Sequence, residues 1–501
     1  MTSPTAPTRI TTGIDSLDEV LDGGLIPTRA YMLTGDPGTG KTILGLHYLT
    51  AGRDAGETAL CVNLEESTED IRQNAASLGF DLDGIEFLDL TPSSDAFGDG
   101  QRYDIFSAAE TEGPEIAAAV TDAIEEHDPD RVFVDPLSRF RHLAPDDHQF
   151  RELIGSFVQL LRDTGATVLF TTQATAARSD ADLQYLSDGT IALSQGAHGR
   201  ELEVKKFRGS DSARGPHTFR ITPDGLALFP ELVPGTHSAA FDTETISSGI
   251  PEVDDQLHGG IERGTVTILS GPTGVGKTTL GTQFMKEAAE RGERSVIYMF
   301  EENTQTFLER SEQTDIPVTE MRDRGTLEIA EMEPLRISSS EFAARVREEV
   351  EANDAEIVMI DGIDGYRLSL RGQKDDLRRE LHSLCRYLKN MGVTVILVDA
   401  TESVTGDFKP TAEDVSYLAD NLVFLRYLEM QGELRKALGI LKKRTSDFER
   451  TLREFEITDR GIEVGEPLRE LRGVLKGTPD LVDPGDETVR PPDGEEPDSD
   501  G

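Results

Sequence analysis

The sequence predicts an α/β protein of two tandem domains, each a mostly parallel β-sheet flanked by helices with antiparallel strands at its edge. The chain has 501 residues, more than one hydrophobic core usually supports. The segment ITTGIDSLDEVLDGGL (10–25) returns as ISSGIPEVDDQLHGGI (246–261), so the chain contains a repeat. Within each copy, apolar strand-like runs alternate with amphipathic runs, which is typical of a sheet covered by helices.

The two copies stay in register over most of their length. Gly13 and Gly249 are separated by 249 − 13 = 236 positions, and Lys41 and Lys277 by 277 − 41 = 236. A duplication explains this constancy. We therefore predict a first domain at 1–235, a second domain at 236–475 and an acidic, proline-rich tail at 476–501 that buries too little to fold. About ten extra residues are expected in the first copy, in the polar stretch 91–113.

Strands and helices follow from the hydrophobic pattern. In the first copy we predict strands at 30–35, 57–66, 131–136 and 166–173, and helices at 41–56, 114–127 and 146–165. In the second copy we predict strands at 265–271, 294–302, 356–362 and 393–400, and helices at 340–354 and 374–392. Alternating runs at 201–209, 217–229, 437–445 and 453–464 predict the antiparallel edge strands.

The composition is strongly acidic, with 94 acidic and 50 basic residues and a net charge of -44. Such a surface repels nucleic acid and anionic lipid, so neither is an expected partner. The acidity has two explanations, solubility in a salty cytoplasm, as in a halophile, or a specific basic partner. The N-terminal MTSPTAPTRI lacks an apolar export segment and no apolar run is long enough to span a membrane, so a cytoplasmic protein is expected. Cys61 and Cys385 are expected to be buried, reduced thiols.

The strongest chemical signal is a phosphate-binding loop that occurs in both copies. Each loop matches G-x-x-x-x-G-K-[ST], follows an apolar strand and opens a helix. Backbone N–H groups of such a loop surround phosphates, the lysine reaches the β and γ phosphates, and the threonine hydroxyl holds Mg²⁺. The predicted ATP-binding residues are Gly35, Asp36, Pro37, Gly38, Thr39, Gly40, Lys41 and Thr42, with Gly271, Pro272, Thr273, Gly274, Val275, Gly276, Lys277 and Thr278 in the second copy.

Acidic residues end two further strands of each copy. Asp135 and Asp361 end apolar runs, where a magnesium-holding carboxylate is expected alongside Thr42 and Thr278. Adjacent glutamates follow another run, Glu65 with Glu66 in the first copy and Glu301 with Glu302 in the second. Since neighbouring side chains on a strand face opposite ways, one glutamate of each pair is expected to act on the attacking water and the other to support it. The alternative is a solvated acidic pair.

Basic residues are few, and two pairs stand near the ends of the copies. Lys206 and Arg208, and likewise Lys442 and Arg444, are spaced two apart in strand-like segments. Each pair would project from one face toward a neighbouring subunit's nucleotide, or would serve as exposed edge-strand charges that prevent aggregation.

These motifs resemble the KaiC family of the RecA/DnaB superfamily over residues 10 to about 465. The resemblance depends on the T-G-I-x-x-L-D-x-x-L-x-G-G-L opening, the two loops, the paired glutamates and the K-x-R segments. It implies RecA-like P-loop NTPase domains, a homo-hexamer with ATP between subunits, glutamates that activate water in cis, and Lys206, Arg208, Lys442 and Arg444 that contact the next subunit's phosphates.

The family's clock protein phosphorylates itself on an adjacent serine and threonine of its second domain. The matching positions here are Ser416 and Tyr417, so a two-site cycle is not expected and Ser416 is a single candidate phosphosite, with Thr411 at a further threonine position. An ordinary turn serine is the alternative. The copies also differ after the fourth strand, where Thr171-Thr172-Gln173 stands in the first and Asp399-Ala400-Thr401 in the second.

Two functions are compatible with these motifs. The first is an ATP-hydrolysing regulatory ATPase that binds a protein partner in a nucleotide-dependent way. The second is a DNA-dependent ATPase of recombination or helicase type, because one fold serves both. No segment combines clustered basic residues with aromatics, as single-strand-binding channels do, and this favours the regulator.

Overall fold

The structure is a computed structural model that describes residues 8–91, 108–142, 144, 146–173, 181–196, 199–369, 374–401, 411, 415–430, 432–469, 471–472 and 480–481. The chain divides into two compact units, Met1–Glu231 and Leu232–Gly501, which are called the first and second unit. The disorder predicted for 476–501 concerns residues outside this description, apart from 480 and 481. Most of the predicted insertion within 91–113 also lies outside it.

The first unit contains one nine-stranded sheet and five α-helices in its described part. Its helices are α1 Asp15–Val20, α2 Lys41–Asp54, α3 Thr68–Ala76, α4 Ala108–His127 and α5 Asp147–Asp163. Its strands are β1 Ala30–Gly35, β2 Ala59–Asn63, β3 Glu86–Asp89, β4 Arg131–Asp135, β5 Thr167–Thr172, β6 Gly189–Gly196, β7 Gly199–Phe207, β8 Pro216–Thr222 and β9 Gly225–Phe229. The strand order is β3-β2-β4-β5-β1-β6-β7-β8-β9. The strands from β3 to β6 in this order are parallel, and β7, β8 and β9 are antiparallel.

The second unit repeats this sheet. Its helices are α6 Pro251–Gln256, α7 Lys277–Glu290, α8 Thr304–Glu312, α9 Val318–Asp323, α10 Ser339–Glu351, α11 Ile363–Ser369 and α12 Lys374–Asn390. Its strands are β10 Thr245–Ile246, β11 Ile261–Glu262, β12 Val266–Gly271, β13 Arg294–Met299, β14 Leu327–Glu331, β15 Ala355–Asp361, β16 Thr394–Ala400, β17 Asn421–Met430, β18 Glu433–Lys443, β19 Arg453–Thr458, β20 Gly461–Pro467, β21 Leu471–Arg472 and β22 Asp480–Leu481. The large sheet has the order β14-β13-β15-β16-β12-β17-β18-β19-β20, which is the order of the first unit. The α/β fold with antiparallel edge strands is therefore confirmed in both copies.

Each large sheet is buried on both faces. In β1, Ala30 and Met32 belong to one apolar cluster, and Tyr31 and Leu33 to another on the opposite face. The second unit has the same two clusters on either side of β12. Because successive strand side chains point to opposite faces, a continuous apolar run is needed to fill both layers. This explains why β1, β2, β4 and β5, and their counterparts β12, β13, β15 and β16, could be predicted from short, uninterrupted apolar segments.

The long helices cover the sheets with one apolar stripe each. In α5 the buried side chains are Phe150, Ile154, Phe157, Val158 and Leu161, at the three- and four-residue spacing of a helix face. The Asp146 side chain caps this helix by accepting from the backbone N–H groups of His148 and Gln149. No helix among the described residues is long and apolar enough to cross a bilayer. Both cysteines are buried and free, as predicted.

Strands β3 and β14 were not predicted. Each lies at the outer edge of its sheet, paired on one side only, with β2 or β13. Their sequences, EFLD and LEIAE, are short and carry acidic residues, and most of their side chains are only partly buried. Pairing with a neighbouring strand forms them, and this tertiary contact leaves little trace in the local pattern.

Candidate nucleotide-binding sites

Each phosphate-binding loop joins a central parallel strand to a helix, β1 to α2 in the first unit and β12 to α7 in the second. Gly40 and Gly276 are the N-cap residues of these helices, with φ values of 104° and 114°, in the left-handed region that favours glycine. Neither helix has a side-chain cap at this end. The amide groups of the first helical turn therefore remain for an anion, as the loop motif predicts.

The loop lysines are folded back over their own loops. Lys41 Nζ donates to the carbonyl oxygens of Gly35 at 2.7 Å and Asp36 at 2.9 Å. Lys277 Nζ donates to those of Gly271 at 2.8 Å and Pro272 at 2.9 Å. Burial lowers the pKa of both lysines, while nearby carboxylates oppose that shift. The sites thus hold a buried ammonium group whose partners are neutral carbonyls, and a phosphate would be a stronger acceptor.

The predicted metal residues lie together in both units. Thr42 Oγ1 donates to Asp135 Oδ2 at 2.6 Å, and Thr278 Oγ1 lies 3.1 and 3.0 Å from the two carboxylate oxygens of Asp361. Burial raises the pKa of both aspartates, to about 6 for Asp361, and the threonine hydrogen bonds partly offset this rise. A hydroxyl and a carboxylate beside the loop are oxygen ligands that Mg²⁺ accepts, with water completing its shell.

The glutamate pairs follow strands that have already ended. β2 ends at Asn63 and β13 at Met299, so neither pair is constrained by strand alternation. In the first unit, Glu65 Oε2 lies 3.4 Å from Gln173 Nε2, and Glu66 Oε2 lies 3.4 Å from Asn74 Nδ2. The two carboxylates therefore have different partners, the first residue after β5 and a residue of α3 respectively.

In the second unit, Glu301 and Glu302 likewise have different neighbours. Burial and the neighbouring Asp364 carboxylate raise the pKa of Glu301, and the Lys277 ammonium opposes this. Glu302 Oε2 instead lies 3.0 Å from Arg310 Nη2, a residue of α8. Glu301 is therefore close enough to Lys277 for their charges to interact, whereas Glu302 is directed toward α8.

A cavity of about 480 Å³ occupies the predicted site of the first unit. Its walls contain the loop, both glutamates and the metal aspartate, together with apolar side chains of α3 and β8. The polar and charged side chains that line it include Lys41, Thr42, Glu65, Glu66, Asn74, Asp135 and Gln173. This volume is in the range of small-molecule and cofactor pockets, so the residues present fit a magnesium nucleotide.

The basic pairs lie at the other end of the sheets. In strand register, Lys206 of β7 lies opposite Thr190, at the start of β6. Thr190 is three residues before Leu193, which lies opposite Gly35, the first residue of the loop. Lys206 Nζ donates to the Ser187 carbonyl at 2.6 Å, and Arg208 lies 3.8 Å from Asp188. Three residues of strand span about 10 Å, so this pair lies away from the loop of its own unit.

The second unit repeats this placement around Ser416. Lys442 pairs with Leu422 near the start of β17, and its Nζ donates to the Ser416 carbonyl at 3.2 Å. Arg444 donates to the Tyr417 carbonyl at 3.2 Å. Both arginines follow the last residue of their strand, β7 or β18, so the prediction that they lie on the strands was off by one position. Ser416 therefore lies at the end of the sheet opposite to the loop of its own unit.

Three side chains of the sites were missed from sequence. Thr171 donates a hydrogen bond to Asp135, and Asn74 and Arg310 face the second glutamate of each pair. Asn74 and Arg310 are separated by 310 − 74 = 236 positions, the offset that relates the two copies, and this equivalence is the sequence signal that identifies them.

The residues that end the fourth strand of each copy correspond differently from the sequence-based expectation. Strand register places Thr172 beside Thr34, and Asp399 beside Ser270, the equivalent residue of the second unit. Thr172 thus corresponds to Asp399, and Gln173 to Ala400.

The fold and its two loop-bearing sites define a tandem nucleotide-binding protein with RecA-like domains. A family model described as the KaiC ATPase matches residues 10–233 and again 246–469. The chain therefore belongs to the KaiC family of ATPases. It is 26% identical over 487 residues to the circadian clock protein KaiC3 of Synechocystis sp., covering 94% of each chain. It is also 26% identical over 509 residues to the circadian clock oscillator protein KaiC of Synechococcus elongatus, covering 96% of this chain and 95% of that one.

Proposed function

We propose that the chain hydrolyses ATP at both loops and acts as a regulatory ATPase whose nucleotide state changes the protein partner it binds. The observation that carries the proposal is the duplicated set of loop lysine, threonine–aspartate pair and glutamate pair at the same end of each parallel sheet. Ligands of open α/β sheets bind at the carboxyl ends of the strands. Two complete sets argue against a scaffold that binds nucleotide without turnover.

The loop residues would grip the triphosphate. The amide groups that begin α2 and α7 have no side-chain cap and would offer hydrogen bonds to phosphate oxygens. Lys41 and Lys277 need only exchange loop carbonyls for phosphate oxygens, a short movement of the Nζ atom that gives a charge-assisted bond. Thr42 with Asp135, and Thr278 with Asp361, would hold Mg²⁺, which would neutralise part of the charge on the phosphates.

Glu65 and Glu301 are proposed to orient the attacking water. Each follows a strand end beside the loop lysine, and the raised pKa of Glu301 suits a group that accepts a proton. Glu66 and Glu302 face α3 and α8 and are proposed to support their neighbours. Gln173, 3.4 Å from Glu65, would help to fix that carboxylate in the first unit.

The basic pairs are proposed to act on the nucleotide of a neighbouring copy. Their position at the opposite end of the sheet, away from the loop of their own unit, supports a role in trans. A ring of copies would bring the pair of one subunit to the loop of the next, and the family resemblance implies a hexamer. An arginine supplied in this way stabilises charge in phosphoryl transfer.

Ser416 remains a candidate for autophosphorylation. It is also distant from its own loop, so a phosphate would have to come from the ATP of a neighbouring subunit. Intact-mass measurement after incubation with Mg²⁺ and ATP tests this directly. An added 80 Da that Ser416→Ala abolishes supports the assignment, whereas no added mass refutes it.

The main experiment combines calorimetry with native mass measurement. We expect magnesium-dependent uptake of two ATP per chain in the wild type, one in Lys41→Ala and one in Lys277→Ala. The double variant Glu65→Gln with Glu301→Gln should keep this uptake but lose at least about 100-fold in turnover. Absence of uptake by folded wild-type protein refutes the proposed function. Turnover that single-stranded DNA stimulates would favour the DNA-dependent ATPase instead.

A further inference from the structure

A buried aspartate adjoins the arginine of each basic pair. Asp188 directly precedes β6, and Asp420 directly precedes β17, the equivalent strand of the second unit. Arg208 Nη1 lies 3.8 Å from Asp188 Oδ1, and Arg444 Nη1 lies 3.5 Å from Asp420 Oδ1. The aspartates are 8% and 4% exposed, whereas the arginine side chains are 55% and 53% exposed. Each arginine thus contacts a buried carboxylate while half of its side chain remains accessible to solvent.

In the second unit, Asp420 is fixed by both its backbone and its side chain. Its N–H donates to the Val266 carbonyl at 2.8 Å, and its Oδ2 accepts from the Val266 N–H at 3.0 Å. The same Oδ2 accepts from Lys389 Nζ of α12 at 2.6 Å. Val266 begins β12, the central strand that ends in the phosphate-binding loop. The Asp420 carboxylate is therefore attached to a rigid part of the sheet.

Asp420 in turn contacts Arg444 at two points. Its carbonyl accepts from the Arg444 backbone N–H at 3.0 Å, and its Oδ1 forms the ion pair with the guanidinium. Because Oδ2 is used by Val266 and Lys389, Oδ1 is the oxygen that is directed to Arg444. One residue thus restrains both the backbone and the side chain of this arginine.

The first unit repeats these contacts. The Asp188 N–H donates to the Ala30 carbonyl at 2.7 Å, and Asp188 Oδ2 accepts from the Ala30 N–H at 3.2 Å. The helix cation is Arg162 of α5, whose Nη2 lies 3.6 Å from the same oxygen. The Asp188 carbonyl accepts from the Arg208 N–H at 2.9 Å. Each aspartate therefore joins the start of a central strand, a helix cation and the arginine of a basic pair.

The aspartates also affect the charge of the basic pairs. Burial and the neighbouring Arg444 charge lower the pKa of Lys442, and the Asp420 carboxylate opposes this shift. Burial and Arg208 likewise lower the pKa of Lys206, and Asp188 opposes it. A negative charge beside two like cations reduces their mutual repulsion, so it favours an arrangement in which both side chains stay together.

We propose that Asp188 and Asp420 are positioning residues that orient Arg208 and Arg444 toward the phosphates of a nucleotide bound to a neighbouring copy. This inference rests on the proposed role of the basic pairs in trans. The arginines remain the residues that contact phosphate, and the aspartates act through them. Because a guanidinium that is already oriented needs no rearrangement during the reaction, loss of the carboxylate should lower turnover and leave nucleotide affinity unchanged.

The test measures ATP turnover of the assembled full-length protein, together with the Kd of the imido analogue of ATP with Mg²⁺. A Glu65→Gln background silences turnover at the first site. In this background Asp420→Asn should lower kcat about tenfold and leave the Kd unchanged, because asparagine can still accept from Val266 but no longer attracts Arg444. When Arg444 is already alanine, Asp420→Asn should change kcat by less than about twofold. A purely structural role would lower kcat in both cases.

Glu349→Gln is the matched control. The Glu349 side chain is 20% exposed and lies 2.9 Å from Arg294, so this variant breaks a partly buried arginine–carboxylate pair of the same unit that does not involve Arg444. An equal loss of kcat in Glu349→Gln and Asp420→Asn overturns the inference. An equal loss from Asp420→Asn with and without Arg444 overturns it as well.

The remaining outcomes separate this inference from the proposed function. No turnover by the wild type refutes the proposed function, and unchanged turnover in Arg444→Ala refutes the role in trans; the inference fails with either. A loss of turnover in Arg444→Ala without one in Asp420→Asn refutes the inference alone. If Asp420→Asn lowers the melting temperature or prevents assembly, Asp188→Asn in a Glu301→Gln background decides by the same criteria.

Discussion

Replacing Asp361 by asparagine should stabilise the second unit when no nucleotide is present. Asp361 is 9% exposed, and burial raises its pKa from 3.8 to about 6, against the opposing hydrogen bond from Thr278. The folded chain therefore holds the proton more tightly than the unfolded chain does. Stability from this group is fully present below pH 3.8 and is lost as the pH rises through about 6.

The size of the effect follows from the same shift. A rise from 3.8 to about 6 corresponds to about 3 kcal/mol at pH 7.5, where the carboxylate is charged. Asparagine resembles the protonated carboxyl in shape and charge and still accepts from Thr278. The variant should thus be up to about 3 kcal/mol more stable than the wild type at pH 7.5, although it loses a carboxylate that is proposed to bind Mg²⁺.

Urea unfolding in the presence of a chelator measures this difference. The advantage of Asp361→Asn should narrow as the pH is lowered from 7.5 toward 4, because the wild-type carboxyl becomes protonated. Asp323→Asn, at an exposed position of α9, is the control for loss of one negative charge. The reasoning fails if Asp361→Asn is no more stable than Asp323→Asn at pH 7.5, or if its advantage does not depend on pH.

Three further perturbations test the geometry. Gly276→Ala would place a Cβ against side chains of β19 at a φ of 114°, so the Kd of the second site for ATP should rise at least about tenfold. Gly292→Ala, whose Cβ meets no atom within 4 Å, should leave this Kd unchanged, and equal Kd values for the two variants would contradict the loop assignment. Arg131→Met should lower the free energy of unfolding of the first unit, measured in urea, by about 3 kcal/mol. The buried Arg131 guanidinium pairs with Glu57 and donates to the carbonyls of Thr11 and Tyr48, and a loss under about 1 kcal/mol would exclude a structural role. Lys206→Ala with Arg208→Ala should lower turnover about 100-fold in the assembled protein with little change in nucleotide Kd, and unchanged turnover would refute the role in trans.

Local sequence was sufficient to predict a site where the residues that the chemistry needs also determine the backbone conformation. The loops could be predicted because glycine at positive φ, a following lysine and a strand–helix context are required together, as at Gly40 and Lys41. Asp135 and Asp361 could be predicted as strand-end residues because the apolar runs before them are unbroken. The hydrogen bonds that join each aspartate to its loop threonine span 93 and 83 positions, so they depend on adjacent elements of the folded sheet.

The amino-acid sequence by itself determined the duplication, the central strands and the long helices, the phosphate loops and the resemblance to the family, since each depends on short segments or on their repetition. Only the tertiary structure decided which glutamate lies near the loop lysine, that Lys206 and Lys442 lie away from the loop of their own unit, and that Arg310 faces Glu302. These relations depend on sheet register and helix placement, which bring distant segments together. A local pattern specifies which element forms, whereas packing against the rest of the chain specifies what its side chains meet.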